Sequence, residues 1–201
     1  MNPDSIDQIR QILDARFAAR EMGITGSRRV IRASANGIRA LHRGEWDEAA
    51  TLIGEAEREL DEITTALADH PDMLHAGFVS DAAKEYAEAR ISEAVLKGAD
   101  IPSFTELAVD PVPYLHGLGE AVGEMRRHML DLLREERLEE AETTLEHMND
   151  IVDYLAGVDY PDGMTNGLRR TTDVSRALVE RSRSDLTTTM VQERLRQDLR
   201  P

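Results

Sequence analysis

Apolar residues in this chain recur at spacings of three and four, and no stretch alternates apolar and polar side chains for long enough to make a strand. A chain with only the helical period buries its apolar surface by packing helix on helix, so the expected fold class is all-α. IDQIRQILDARFAA sets Ile6, Ile9, Ile12 and Leu13 on one stripe with Ser5 as N-cap, and the pattern resumes through RRVIRASANGIRALHR after an interruption at Gly23 to Gly26. Further helices are expected from about Trp46 to Ala68, Asp72 to Lys97, Pro113 to Arg137, Leu138 to Leu155 and Asn166 to Leu199. The expectation is six or seven helices, several of them long, in a single domain over 1–201 without a dividing linker.

With 201 residues and no cysteine, the chain offers one sizeable core or at most two small domains, and neither a disulfide framework nor a zinc–thiolate site. The N-terminus is charged and periodic, and no stretch approaches the roughly 18 apolar residues of a membrane span, so a soluble, cytoplasmic protein is expected. A net charge of -15 would ordinarily argue against a nucleic-acid partner. Here 22 of the 24 basic residues are arginine, against 39 acidic groups, with lysine only at Lys84 and Lys97. Acid excess with lysine almost absent reads as a halophilic surface, a solvent adaptation that says little about the partner.

No H-E-x-x-H, no G-x-S-x-G elbow and no P-loop is present. GLGEAVGE at 117–124 has the look of a dinucleotide fingerprint, but Pro111 and Pro113 precede it and suit a helix start better than a central strand. On a helical wheel Glu120, Glu124, Arg127 and Asp131 form one stripe, flanked by His116, Gly117, Gly123 and His128. That stripe is either a solvated polar face or half of a site; three glycines in seven residues of helix suggest that something comes close. On the preceding long helix Glu85 interrupts a line of Phe78, Ala82, Ala89, Ser92 and Leu96, with Glu88 on its shoulder. A carboxylate there needs a partner, either an arginine of a neighbouring helix or a metal shared with Glu88, Glu120 and Glu124. An all-oxygen set of that kind suits Mg²⁺ or Mn²⁺.

KEYAEA at 84–89 followed by PVPYLHGLGEAVGEMRR at 111–127 resembles the translin family, closer to translin-associated factor X than to translin itself. SRRVIRASANGIRALHR at 27–43 and GLRRTTDVSRALVERSRSDLTTTMVQERL at 167–195 resemble that family's first and closing helices, so the likeness touches nearly the whole chain. It implies a seven-helix fold assembled into closed rings or barrels, often octamers, that enclose single-stranded nucleic acid. For the factor X branch it implies a Mg²⁺-dependent endoribonuclease whose catalytic and metal-binding residues carry over to Glu85, Glu88, Glu120 and Glu124. The branch usually has aspartate where Glu120 stands, which changes ligand reach by one methylene. Bound metal would lower the pKa of a water and position it for in-line attack on the phosphodiester. RNA contacts would come from Arg28, Arg29, Arg32, Arg39 and Arg43, from Arg127, and from Arg169, Arg170, Arg176, Arg181 and Arg183. The alternatives are a non-catalytic single-stranded RNA- or DNA-binding oligomer of the translin type, and a protein-interaction scaffold suggested by GEWDEAATLIGEAERELDE at 44–62.

Overall fold

The computed structural model describes residues 3–199. Among them are eight helices and no strand: α1 (Pro3–His42), α2 (Trp46–Ala66), α3 (Pro71–Leu74), α4 (Gly77–Leu96), α5 (Pro111–Arg134), α6 (Leu138–Ala156), α7 (Asp162–Thr165) and α8 (Leu168–Asp198). The six long helices match the expected ones, and α3 and α7 are single turns beside them. No helix among the described residues is long and apolar enough to cross a membrane. The chain divides into two compact units, Met1–Ala89 and Arg90–Pro201, with the boundary inside α4.

In the first unit α1 and α2 pack along one another. The interruption expected at Gly23 to Gly26 is absent, and α1 runs through both glycines. A Cβ at Gly23 would lie 2.7 Å from a Phe78 ring carbon, one at Gly26 2.6 Å from Ile63, and one at Gly37 2.6 Å from Ile53. These glycines therefore break no helix; they let α2 and the start of α4 approach, and the apolar burial that this permits offsets their poor helix propensity. Against them α2 presents Ala49, Ile53, Ala56, Leu60 and Ile63 as one buried stripe. Because α1 begins by Pro3, Ser5 lies inside the helix and is not its cap. The stripe of Ile6, Ile9, Ile12 and Leu13 forms as periodicity demands, yet these residues are 40 to 60% exposed. The helix expected from Asp72 is split: Ala76 N–H turns back to the Met73 carbonyl, and the weak helix former Gly77 begins α4 anew.

In the second unit α5, α6 and α8 pack against each other. Leu118, Val122, Met125, Met129 and Leu132 are the buried stripe of α5, and Leu145, Met148, Ile151, Val152 and Leu155 that of α6. The inner face of α8 is smaller and more polar, with Leu168, Thr172, Ser175, Val179, Ser182 and Leu186 buried. Entry to α5 is at Asp110 and Pro111, as the prolines imply. Its end comes at Arg134, earlier than expected, because Glu136 turns into the left-handed region (φ 61°). Asn166 and Gly167 likewise have φ of 52° and 81°, which delays the start of α8 to Leu168.

Candidate functional site

The alanine-rich run GFVSDAAKEYAEARISEAVL favours helix throughout, and α4 is apolar nearly all round: Val79, Ala82, Ala83, Tyr86, Ala87, Ala89, Ile91 and Val95 are all buried. Glu85 and Glu88 stand in this setting one turn apart. Glu88 is only 9% exposed, and the Glu85 side chain is 25% exposed. The cation beside Glu85 comes from its own helix: Lys84 Nζ lies 3.1 Å from Glu85 Oε1. On the wheel Glu88 falls between Lys84 and Glu85, at about 40° from the first and 60° from the second. Lys84, Glu85 and Glu88 therefore form one patch. Glu93, further along α4, belongs to a separate pairing with Lys97 at 2.7 Å and Arg90 at 3.6 Å.

On α5 the predicted stripe is present. Glu120 and Arg127 are exposed, while Glu124 and Asp131 are half-buried, all on the face turned away from the buried stripe of this helix. The glycines of GLGEAVGE divide in their roles. A Cβ at Gly119 would sit 2.3 Å from Thr171 Cγ2, and Ser175 Oγ donates to the Gly119 carbonyl at 3.0 Å, so this glycine is where α8 crosses α5. At Gly123 a Cβ would meet only Leu178 Cδ1, at an ordinary 3.9 Å. His116, a neighbour of the acidic stripe, ties the start of α8 to α5. Its Nε2 faces the Thr165 carbonyl and so donates, which leaves Nδ1 to accept from the Thr171 hydroxyl, both at 2.9 Å. Arg126, not singled out in the sequence, braces the same pair of helices through Ser182 Oγ at 2.9 Å and Asp185 at 2.7 Å.

The arginines proposed for RNA fall into two groups. Arg28, Arg32 and Arg39 lie within about 40° of one another around α1 and extend over about 16 Å of its length, and Arg43 follows directly after its end. Arg28 and Arg32 are exposed, Arg39 donates to the Asn36 amide oxygen, and Arg43 pairs with Glu45 and Glu48. The Glu45 hydrogen bond holds the Arg43 guanidinium above its ordinary pKa. Arg29 points instead toward α2 and pairs with Glu59 at 2.7 Å. It lines a groove of about 290 Å³ in the first unit, where Arg29, Arg32 and Arg58 face Glu55, Glu59 and Glu62. With three acids against three bases, that groove carries no net charge. In the second unit Arg127 and Arg170 are exposed, and Arg169 lies 3.7 Å from Asp159. Arg176 pairs with Asp173 at 2.9 Å and Arg183 with the Asn149 amide oxygen at 2.7 Å, while Arg181 is exposed.

Lys84 is the site-adjacent residue that reasoning on the acids alone passes over. Its signal is compositional: it is one of two lysines in a chain that otherwise uses arginine.

No family model matches the chain. An uncharacterised protein of Methanocaldococcus jannaschii is 29% identical over 199 residues, covering 98% of this chain and 88% of that protein. Among solved structures, AfC3PO in complex with duplex RNA is 30% identical with a TM-score of 0.86, covering 94% of this chain and 97% of its own. The crystal structure of AfC3PO matches equally, covering 98% of that chain. Apo-NeC3PO shares the fold at a TM-score of 0.84 and 21% identity.

Proposed function

Since the chain belongs to the translin family and fits its factor X-like branch, we propose that it is an RNA-binding protein and a metal-dependent endoribonuclease acting on single-stranded RNA within a homo-oligomer. RNA binding is supported by the likeness to AfC3PO, which has been solved with duplex RNA. The observation that carries the nuclease reading is the pair of glutamates one turn apart on each of two helices, with the α4 pair kept at a largely buried position where an acid has no packing value.

The donor set fits a hard divalent cation. The residues this reading assigns, Glu85 and Glu88 on α4 and Glu120 and Glu124 on α5, are all oxygen donors, and the cysteine-free chain has no thiolate to favour a softer metal. Mg²⁺ or Mn²⁺ bound there would activate a water and neutralise charge on the scissile phosphate. In this reading Glu85, Glu88 and Glu120 are the ligands. Glu124, half-buried, accepts the proton of the attacking water at its carboxylate or joins the ligands. Arg28 and Arg32 hold the strand by its phosphates, which positions RNA without reading bases. The 40 to 60% exposed stripe of Ile6, Ile9, Ile12 and Leu13 supports self-association, because a contiguous apolar face on a soluble chain is normally covered by a partner.

The ion pair of Glu85 with Lys84 favours the second reading, a non-catalytic binder in which the acids merely balance local charge. Two substitutions separate them. Glu85→Gln with Glu124→Gln keeps shape while removing two anions, so Mn²⁺ affinity and cleavage of labelled RNA should fall together with assembly intact. Single-stranded and duplex substrates are assayed side by side, with EDTA as control. RNA binding by the wild type without any metal-dependent cleavage would make it the binder.

A further inference from the structure

We propose that the cleft between the end of α6 and the start of α8 receives one unpaired base of the bound RNA, with the ring of Tyr160 as its stacking surface; this rests on the RNA-binding part of the reading above. The cleft lies wholly within the second unit and holds about 250 Å³. Leu155 and Leu168, both buried, give it an apolar floor. Its exposed lining consists of Tyr160 and two ion pairs, Arg169 with Asp159 at 3.7 Å and Arg176 with Asp173 at 2.9 Å.

The local sequence sets Tyr160 at this place. Helix α6 closes on Gly157, and Pro161 is the N-cap of α7. A residue before proline is held to extended backbone, so Tyr160 joins neither helix. It is 61% exposed, which leaves most of its surface open to a second flat group.

The chemistry of the lining fits a nucleobase. Two arginines and two aspartates leave the cleft without net charge, as suits a neutral ring whose edge carries both donors and acceptors. Exposed ion pairs contribute little, and at 3.7 Å Arg169 and Asp159 are beyond hydrogen-bonding range, so both can turn to a base edge at small cost. The equally balanced groove between α1 and α2 has no aromatic ring in its lining. At about 250 Å³ the cleft falls below the range of drug-sized pockets and suits a single base. A base reaches it only when turned out of a helical stack, as the bases of single strands are. Arg169 also lines an adjoining cleft with the exposed Arg170, which offers a guanidinium to the flanking phosphate.

The test follows the anisotropy of a labelled single-stranded oligoribonucleotide and of an RNA duplex on the full-length protein, in EDTA so that neither is cut. Tyr160→Ala should weaken single-strand affinity by about fivefold or more, the worth of one stacked base, and leave duplex affinity within about twofold. Tyr160→Phe keeps the ring and should bind as the wild type does. Tyr154→Ala should also leave binding unchanged, since Tyr154 is 58% exposed but stands on α6 outside the cleft. Independently of any variant, irradiating the wild type with a strand carrying 5-iodouridine should join that base to the peptide containing Tyr160. Unchanged single-strand affinity in Tyr160→Ala, an equal loss for the duplex, or a cross-link found only on other peptides would each overturn the proposal and leave RNA binding standing. A wild type that binds the duplex alone would overturn it as well. A wild type that binds neither RNA would remove the RNA-binding reading and this proposal with it.

Discussion

Two glycines of one motif, four residues apart on α5, have different physical reasons to be there. Gly119 has no room for a methyl group, with Thr171 Cγ2 at 2.3 Å from the position a Cβ would take, and its carbonyl is bonded by Ser175. Gly119→Ala should therefore destabilise by about 1–3 kcal/mol through overpacking of the α5–α8 crossing. Gly123→Ala meets only an ordinary contact, removes a flexible residue from a helix interior, and should be neutral or stabilise by up to about 1 kcal/mol. Urea denaturation of both variants checks the pair; equal losses would mean that the glycines act as one feature. Spacing in the sequence marked the motif but could not rank its members, since Thr171 and Ser175 come from a helix some fifty residues away.

Among elements, α1 carries the most testable division of labour. Its outer arginines, Arg28 and Arg32, are exposed, whereas Arg29 is held by Glu59 of α2. Replacing Arg28 and Arg32 by Gln should weaken RNA binding across sequences and lower the slope of log affinity against log salt by about 0.7 per contact for a single strand. Arg29→Gln should cost little affinity. Anisotropy titrations at two salt concentrations distinguish the variants; equal losses would place the strand against α2 as well. The same helix is tied to α3 by the Arg16–Asp72 pair, which holds the Asp72 carboxyl below its ordinary pKa. A carboxyl depressed in the folded state stabilises above its unfolded pKa, and that contribution is lost as pH falls through the folded value. Protection of the α3 amides, taken relative to their intrinsic exchange rate at each pH, should accordingly fall below the ordinary carboxylate range, and Arg16→Gln should already show lower protection at neutral pH.

For the whole molecule the open question is assembly. An apolar stripe left 40 to 60% exposed on α1, in a chain of net charge -15, calls for a partner surface able to cover it and for salt to screen the mutual repulsion of the subunits. Light scattering should find a closed oligomer in molar salt that loosens as salt is withdrawn. Ile9→Gln with Leu13→Gln should shift it toward the 22.5 kDa monomer. An oligomer indifferent to these substitutions would place the interface on another face.

The sequence alone determined the all-α class, the six long helices, the start of α5 at Asp110 and Pro111, and the placing of Glu85 with Glu88 and of Glu120 with Glu124 on single helix faces. All of these follow from local periodicity and from proline's fixed φ, which depend on neighbours within about one turn. Only the tertiary structure decided that α1 runs unbroken through Gly23 and Gly26, that Gly119 is a crossing point, that Ile6 to Leu13 face outward, and that Lys84 is the cation beside Glu85. Three of these depend on distances to residues remote in the chain or on which surface a neighbouring helix covers. The fourth, the Lys84 contact, depends on rotamers set by packing around a half-buried side chain. A pattern of three and four residues carries none of that information.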